Sequence, residues 1–166
     1  MGAGKSTVGP LVAARLGFAF LDLDASIEEK AGRPVAEIFR DSGGEPAFRD
    51  LERRAAEEAA GRPRTVVAAG GGAFAQPATR SALQRGAVTV WLRCDLDVVL
   101  ERIPADGRRP KAANRAIMRA LLTEREPSYQ LADVVVEASD GTPEAVADRV
   151  LAGLRARGFQ VVETAR

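Results

Sequence analysis

Met1-Gly2-Ala3-Gly4-Lys5-Ser6-Thr7 is the later half of a phosphate-binding loop. The pattern G-x-x-x-x-G-K-[ST] assigns Gly4, Lys5 and Ser6 to its last three positions, so its opening glycine falls two residues before Met1. In such a loop, successive backbone N–H groups form an anion-binding concavity. The lysine neutralises the β- and γ-phosphates, and the hydroxyl holds Mg²⁺. Gly2, Ala3, Gly4, Lys5, Ser6 and Thr7 are therefore the candidate nucleotide-binding run, with Ser6 also a candidate metal ligand. The apolar strand that launches such a loop is expected upstream, with Met1 an internal methionine of a longer gene product.

The remaining composition is that of one soluble globular domain spanning 1–166. Hydrophobic residues make up 46%, and 24 Lys and Arg stand against 23 Asp and Glu, a net charge of +1. That balance gives no overall attraction to nucleic acid or to an anionic membrane. Neither partner is expected, and the cytoplasm is the default location. The single cysteine, Cys94, excludes an intrachain disulfide and reads as a packed small residue in an apolar run. Histidine is absent, which removes Ser-His-Asp, Cys-His and His-zinc chemistry. Proton transfer must use a carboxylate, lysine, tyrosine or water.

Short apolar runs alternate with longer helical patterns. Helices are expected at Lys5–Leu16 with Gly17 as the stop, Ala25–Ala31, Val35–Asp41, Glu45–Ala60, Pro77–Arg85, Leu96–Ile103, Ala113–Tyr129 and Pro143–Arg157. Strands are expected at Phe18–Asp22, Thr65–Ala68, Val88–Arg93 and Val134–Glu137. This alternation predicts an α/β fold, a parallel sheet covered by helices on both faces. The segment from about 104 to 114 is rich in Gly, Pro, Lys and Arg. It reads as a solvated loop or as a basic lid closing over phosphoryl oxygens. The end, Gly158–Arg166, reads as a surface strand or a loose tail.

Asp22-Leu23-Asp24 follows the first strand. At the carboxyl end of a parallel strand, side chains face the ligand crevice, and strand alternation would set both aspartates on one side. They read either as helix-capping residues or as one carboxylate near Mg²⁺ and one near a substrate hydroxyl. Gly70-Gly71-Gly72 ends the second strand; it reads as a turn with positive φ or as close backbone approach to something.

Gly44-Glu45-Pro46-Ala47-Phe48-Arg49-Asp50-Leu51-Glu52 adds a more specific signature. Together with the phosphate loop, Asp22-x-Asp24, the triple glycine, Arg109-Pro110 and Arg125-Glu126-Pro127-Ser128-Tyr129, it resembles the shikimate kinase family, in order over most of the chain. The resemblance implies a three-layer P-loop kinase fold with a five-stranded parallel sheet of order 2-3-1-4-5, whose central first strand is missing from this chain. It implies ATP with Mg²⁺, the acid shikimate as acceptor, phosphorylation of its 3-hydroxyl in aromatic amino acid (chorismate) biosynthesis, and a monomer. Lys5 would contact the phosphates, Ser6 the metal, and Asp22 the metal's water shell. Asp24 would hydrogen-bond shikimate and accept the proton. Arg49 and Arg125 would hold the substrate carboxylate, with the backbone of Gly70, Gly71 and Gly72 approaching the ring. Arg109 would reach the phosphates from the lid, and Arg102 and Pro143 would flank the adenine. Glu52 would orient Arg49, and helices in 25–60 would form the acid-binding side.

Physical chemistry agrees with that assignment. Two guanidinium forks match one planar carboxylate, which explains arginine rather than lysine at 49 and 125. A carboxylate of pKa about 4 is a weak base at neutral pH, so Asp24 is expected to orient the hydroxyl more than to deprotonate it in the ground state. Ala68-Ala69 lacks the small hydroxyl often found before the glycines, Lys111-Ala112 replaces the usual leucines, and Gly141 stands where some relatives carry a basic residue. A kinase for another small hydroxylated acid such as gluconate, or a non-catalytic nucleotide or ligand binder, remains the rival reading.

Overall fold

Gly4, in the left-handed conformation (φ 86°), turns the chain into α1, Lys5–Leu16. Gly17 (φ 63°) ends that helix, as its N–H and that of Phe18 return to the carbonyls of Ala14 and Ala13. The structure, a computed structural model, describes residues 2–40, 43–102 and 115–160. The remaining elements are β1 (Ala19–Asp22), α2 (Leu23–Ala31), α3 (Val35–Ile38), α4 (Gly44–Ala60), β2 (Thr65–Ala68), α5 (Gly71–Ala75) and α6 (Pro77–Gly86). They continue with β3 (Val90–Arg93), α7 (Leu96–Arg102), α8 (Arg115–Tyr129), β4 (Val134–Glu137) and α9 (Pro143–Ala156). The part of the basic stretch expected as a lid, 104–114, lies outside the described residues.

Local chemistry explains where the boundaries differ from expectation. β1 starts at Ala19 because the Phe18 N–H is spent closing α1, while the Phe18 ring packs edge-on against Phe159. That contact ties down the start of the segment expected as a surface strand or loose tail; 161–166 lie outside the described residues. β3 starts at Val90 because the Thr89 N–H and hydroxyl both donate to the Asp133 carboxylate (2.8 and 2.6 Å). α2 begins at Leu23, two residues earlier than expected, because Asp22 caps it. At α9, Thr142 is the cap and Pro143 the first helical residue, as their types favour.

The strands are parallel, as the alternation predicts. β1 pairs with β2, Ala19 opposite Thr65, and β3 pairs with β4, Val90 opposite Val134. Among the described residues these are two separate two-stranded sheets, so neighbours are fixed within each pair and no order is fixed across them. Side chains alternate between two cores. Val66 joins Val8, Val12, Leu16, Val134, Val136 and the apolar face of α9 on one side. Leu21 and Val67 join Leu23, Ile27, Ile38, Phe48 and Ala56 on the other. Helices thus cover both faces of the β1–β2 pair, the layering expected of an α/β fold. A smaller cluster of Val99 and Met118 joins α7 to α8.

Gly153 marks where α9 sits closest to β4, since a Cβ there would lie 2.5 Å from Val134 Cγ1. Val134 is buried and stiff about χ1. Gly153→Ala gains about 0.5–1 kcal/mol of helix propensity, but overpacking costs about 1–3 kcal/mol. The variant should melt a few degrees lower, at about 2–4 °C per kcal/mol of net loss. A higher melting temperature in a thermal scan would show that propensity wins.

Candidate active site

The site begins at the amino end of α1. Gly2, Ala3 and Gly4 lead into the helix, and Lys5, Ser6 and Thr7 form its first turn, which carries no acidic side chain to offset the positive end of the helix dipole. That is an environment for an anion. The Ser6 hydroxyl donates to Asp22 Oδ2 at 2.9 Å. The other oxygen of Asp22 accepts the Asp24 N–H at 3.1 Å and the Ala25 N–H at 3.5 Å. Asp22 therefore caps a helix and faces the phosphate loop at once, so the two readings of this residue are compatible. The alternation reasoning for Asp24 fails, because α2 has begun by Leu23 and Asp24 lies in its first turn.

Asp24 nevertheless reaches the same crevice as the triple glycine. A Cβ on Gly70 would lie 3.2 Å from Glu52 Oε1 and 3.5 Å from Asp24 Oδ1. Gly71 and Gly72 do not form the positive-φ turn that was one expectation; they open the short helix α5. What requires glycine is proximity. A Cβ on Gly71 would meet the Tyr129 hydroxyl at 2.5 Å and Arg125 Nη1 at 3.8 Å, and one on Gly72 would meet Arg49 Nη1 at 2.4 Å and Nη2 at 2.8 Å. Close backbone approach is thus the better reading, and both candidate acid-binding arginines lie against this corner.

Arg49 and Glu52 stand one turn apart on α4. Arg49 Nη1 donates to Glu52 Oε2 at 2.7 Å, and Nη2 donates to Glu45 Oε1 at 2.8 Å. Glu52 is only 2% exposed, so this is a buried ion pair rather than decoration of a solvated face. Burial pushes the Glu52 carboxyl up, with Asp24 adding to the effect, while Arg49 and Arg125 pull it down. Burial also works against the charge of Arg49, but the hydrogen bonds to Glu52 and Glu45 outweigh it and hold that guanidinium charged. Arg49 Nε is buried with no hydrogen-bond partner.

At the other end, Arg102 donates from Nη1 to the Ala138 carbonyl at 2.8 Å and from Nη2 to the Ser139 carbonyl at 3.3 Å. These contacts fix it at the turn that leads to Pro143. Gly141 in that turn has φ 83°, a conformation that disfavours any side chain there. Cys94 is half-buried beside Arg102 and the Ala138 carbonyl, and burial pushes its thiol up, as suits a packing residue. Arg109 lies outside the described residues. Glu45 and Tyr129 lie inside sequence motifs but carry no local signal of a role; their partners come from the folded arrangement.

The oxygens of Ser6 and Asp22 form a hard donor set suited to Mg²⁺ accompanied by phosphate oxygens. Among the described residues no three His, Cys, Asp or Glu side chains cluster as a self-sufficient metal site. No helix of the described residues is long and apolar enough to cross a membrane.

Comparison with known proteins identifies the family. The family model for shikimate kinase matches residues 1–155. A shikimate kinase of Paramagnetospirillum magneticum is 41% identical over 157 residues, 93% of this chain and 80% of that protein. The structure of a shikimate kinase from Acinetobacter baumannii in complex with shikimate aligns with a TM-score of 0.90 and 34% identity, covering 96% of this chain and 91% of that one. A gluconokinase from Sinorhizobium meliloti aligns with a TM-score of 0.57 and 21% identity, covering 95% of this chain and 88% of that one, a likeness of fold alone. With the P-loop fold and these relatives together, the chain belongs to the shikimate kinase family and is a phosphotransferase.

Proposed function

We propose that this chain transfers the γ-phosphoryl group of ATP to the 3-hydroxyl of shikimate, as one domain acting as a cytoplasmic monomer. The observation that carries the reading is the convergence of Arg49 and Arg125 on the corner Gly70–Gly72, with Asp24 beside it. Two guanidinium groups at one glycine corner suit a small carboxylate. The buried, unpartnered Arg49 Nε adds a donor that an acceptor from outside would relieve of about 1–3 kcal/mol. The bound acid of the Acinetobacter baumannii relative supports shikimate in particular.

In this reading, Arg49 and Arg125 anchor the acid, and Asp24 accepts a hydrogen bond from the reacting hydroxyl. Gly70, Gly71 and Gly72 let the ring approach the backbone. Gly2–Thr7 hold the triphosphate, Lys5 meets the transferring group, and Arg109 adds positive charge. Arg102 and Pro143 flank the base. Ser6, with Asp22 behind it, would hold Mg²⁺, which supplies charge compensation on the phosphates when bound. The protein's own contribution is positioning and electrostatics, because this transfer needs little covalent help.

The test is ATP turnover with shikimate, with gluconate and with no acceptor. Shikimate-dependent turnover is expected. Turnover with gluconate alone would overturn the substrate, and shikimate binding without turnover would favour a binding-only protein. Asp24→Asn should lower kcat by about 10²–10⁴-fold and leave the KM for ATP within about threefold, since the side chain orients the acceptor. Steady-state kinetics showing equal losses in turnover and nucleotide affinity would sink that role.

A further inference from the structure

Arg125 and Tyr129 stand one turn apart on α8, at the spacing where helical side chains meet. The Arg125 guanidinium reaches the same point as the phenol, since an added Cβ on Gly71 would lie 3.8 Å from Arg125 Nη1, and its positive charge favours the ionised phenol. The phenol oxygen lies over Gly71, where an added Cβ would come within 2.5 Å of it. On the far side, the Tyr129 ring packs against Trp91 of β3, centroids 5.7 Å apart and planes tilted by 44°. The phenol is therefore fixed from three directions, by a strand, by the glycine helix and by an arginine.

We propose that Tyr129 is a positioning residue for acid recognition, its hydroxyl holding the Arg125 guanidinium beside Gly71 while Trp91 holds the ring. This rests on the reading of Arg125 as a carboxylate anchor. An arginine side chain carries several rotatable bonds, and ordering it only when the acid arrives subtracts from affinity. A tyrosine already packed on a tryptophan supplies that order beforehand. Tyr129 takes no part in the phosphoryl transfer itself, so its removal should weaken the acid and spare both nucleotide and turnover.

The experiment compares wild type, Tyr129→Phe, Arg125→Met and the double variant. Phenylalanine keeps the ring contact with Trp91, so the melting temperature should hold. Calorimetric titration with shikimate should give a dissociation constant about 3–10-fold weaker for Tyr129→Phe, with kcat and the KM for ATP within about twofold. In the Arg125→Met background the same change should cost nothing further, because the hydroxyl acts through Arg125. Unchanged affinity in Tyr129→Phe overturns the proposal, as does an equal loss in both backgrounds.

A second readout does not depend on the identity of the acid. Tyr129 is the chain's single tyrosine, so absorbance titration of the phenol reads it alone. Burial pushes its pKa up and Arg125 pulls it down, with the Glu124 charge acting against Arg125. Arg125→Met should therefore move phenol ionisation to higher pH. A phenol that ionises at the same pH in both proteins overturns the contact. If wild type binds no shikimate while the phenol shifts as expected, the substrate reading falls and, with it, the role in acid recognition, while the contact between Arg125 and Tyr129 stands.

Discussion

The buried pair of Arg49 and Glu52 is the constraint around which the proposed acid-binding side is built. A carboxylate that is 2% exposed needs a full-time partner, and Arg49 supplies it at 2.7 Å. Removing either charge strands the other in a poorly solvated place. The arrangement also dictates the residues opposite. A Cβ on Gly72 would displace the Arg49 fork from the place its bonds to Glu52 and Glu45 give it, and Gly70 stands against both Glu52 and Asp24. Helix α4 holds the pair rigidly, burying Phe48, Glu52, Ala55, Ala56 and Ala59 on one stripe.

The phosphate side rests on a different device, the junction of α1 with β1 and α2. Asp22 divides its two oxygens between the Ser6 hydroxyl and the first N–H groups of α2. The nucleotide end and the acid end are therefore linked through three consecutive residues, Asp22 to Asp24. That linkage puts Asp24, the proposed hydroxyl-orienting residue, close to the phosphate loop without a long flexible connection, which is what positioning catalysis requires.

Much of this is legible in the amino-acid sequence. Gly4-Lys5-Ser6 and Gly17 bracket α1, because glycine conformations and the phosphate pattern are local signals. Parallel pairing followed from the alternation of short apolar runs with helices. The family resemblance carried by the motifs pointed to Arg49, Gly70–Gly72 and Arg125, but not to a helix opening at Gly71, because glycine has poor helix propensity. Strand alternation misjudged how Asp24 arrives, since Asp22 caps α2 one residue too soon for alternation to apply. Tyr129 was invisible as a functional residue because its partners, Trp91 and Gly71, are remote in sequence. Glu45 was likewise silent, an exposed acid that shares the Arg49 fork with Glu52.

The central claim is that the glycine corner exists to let two guanidinium groups meet one carboxylate. Calorimetric titration of Gly72→Ala with shikimate and, separately, with ATP tests it most directly, because the added methyl would sit 2.4 Å from Arg49 Nη1 and displace the fork. Shikimate affinity is expected to fall by at least about tenfold, with ATP affinity unchanged. Shikimate affinity equal to that of wild type would contradict it.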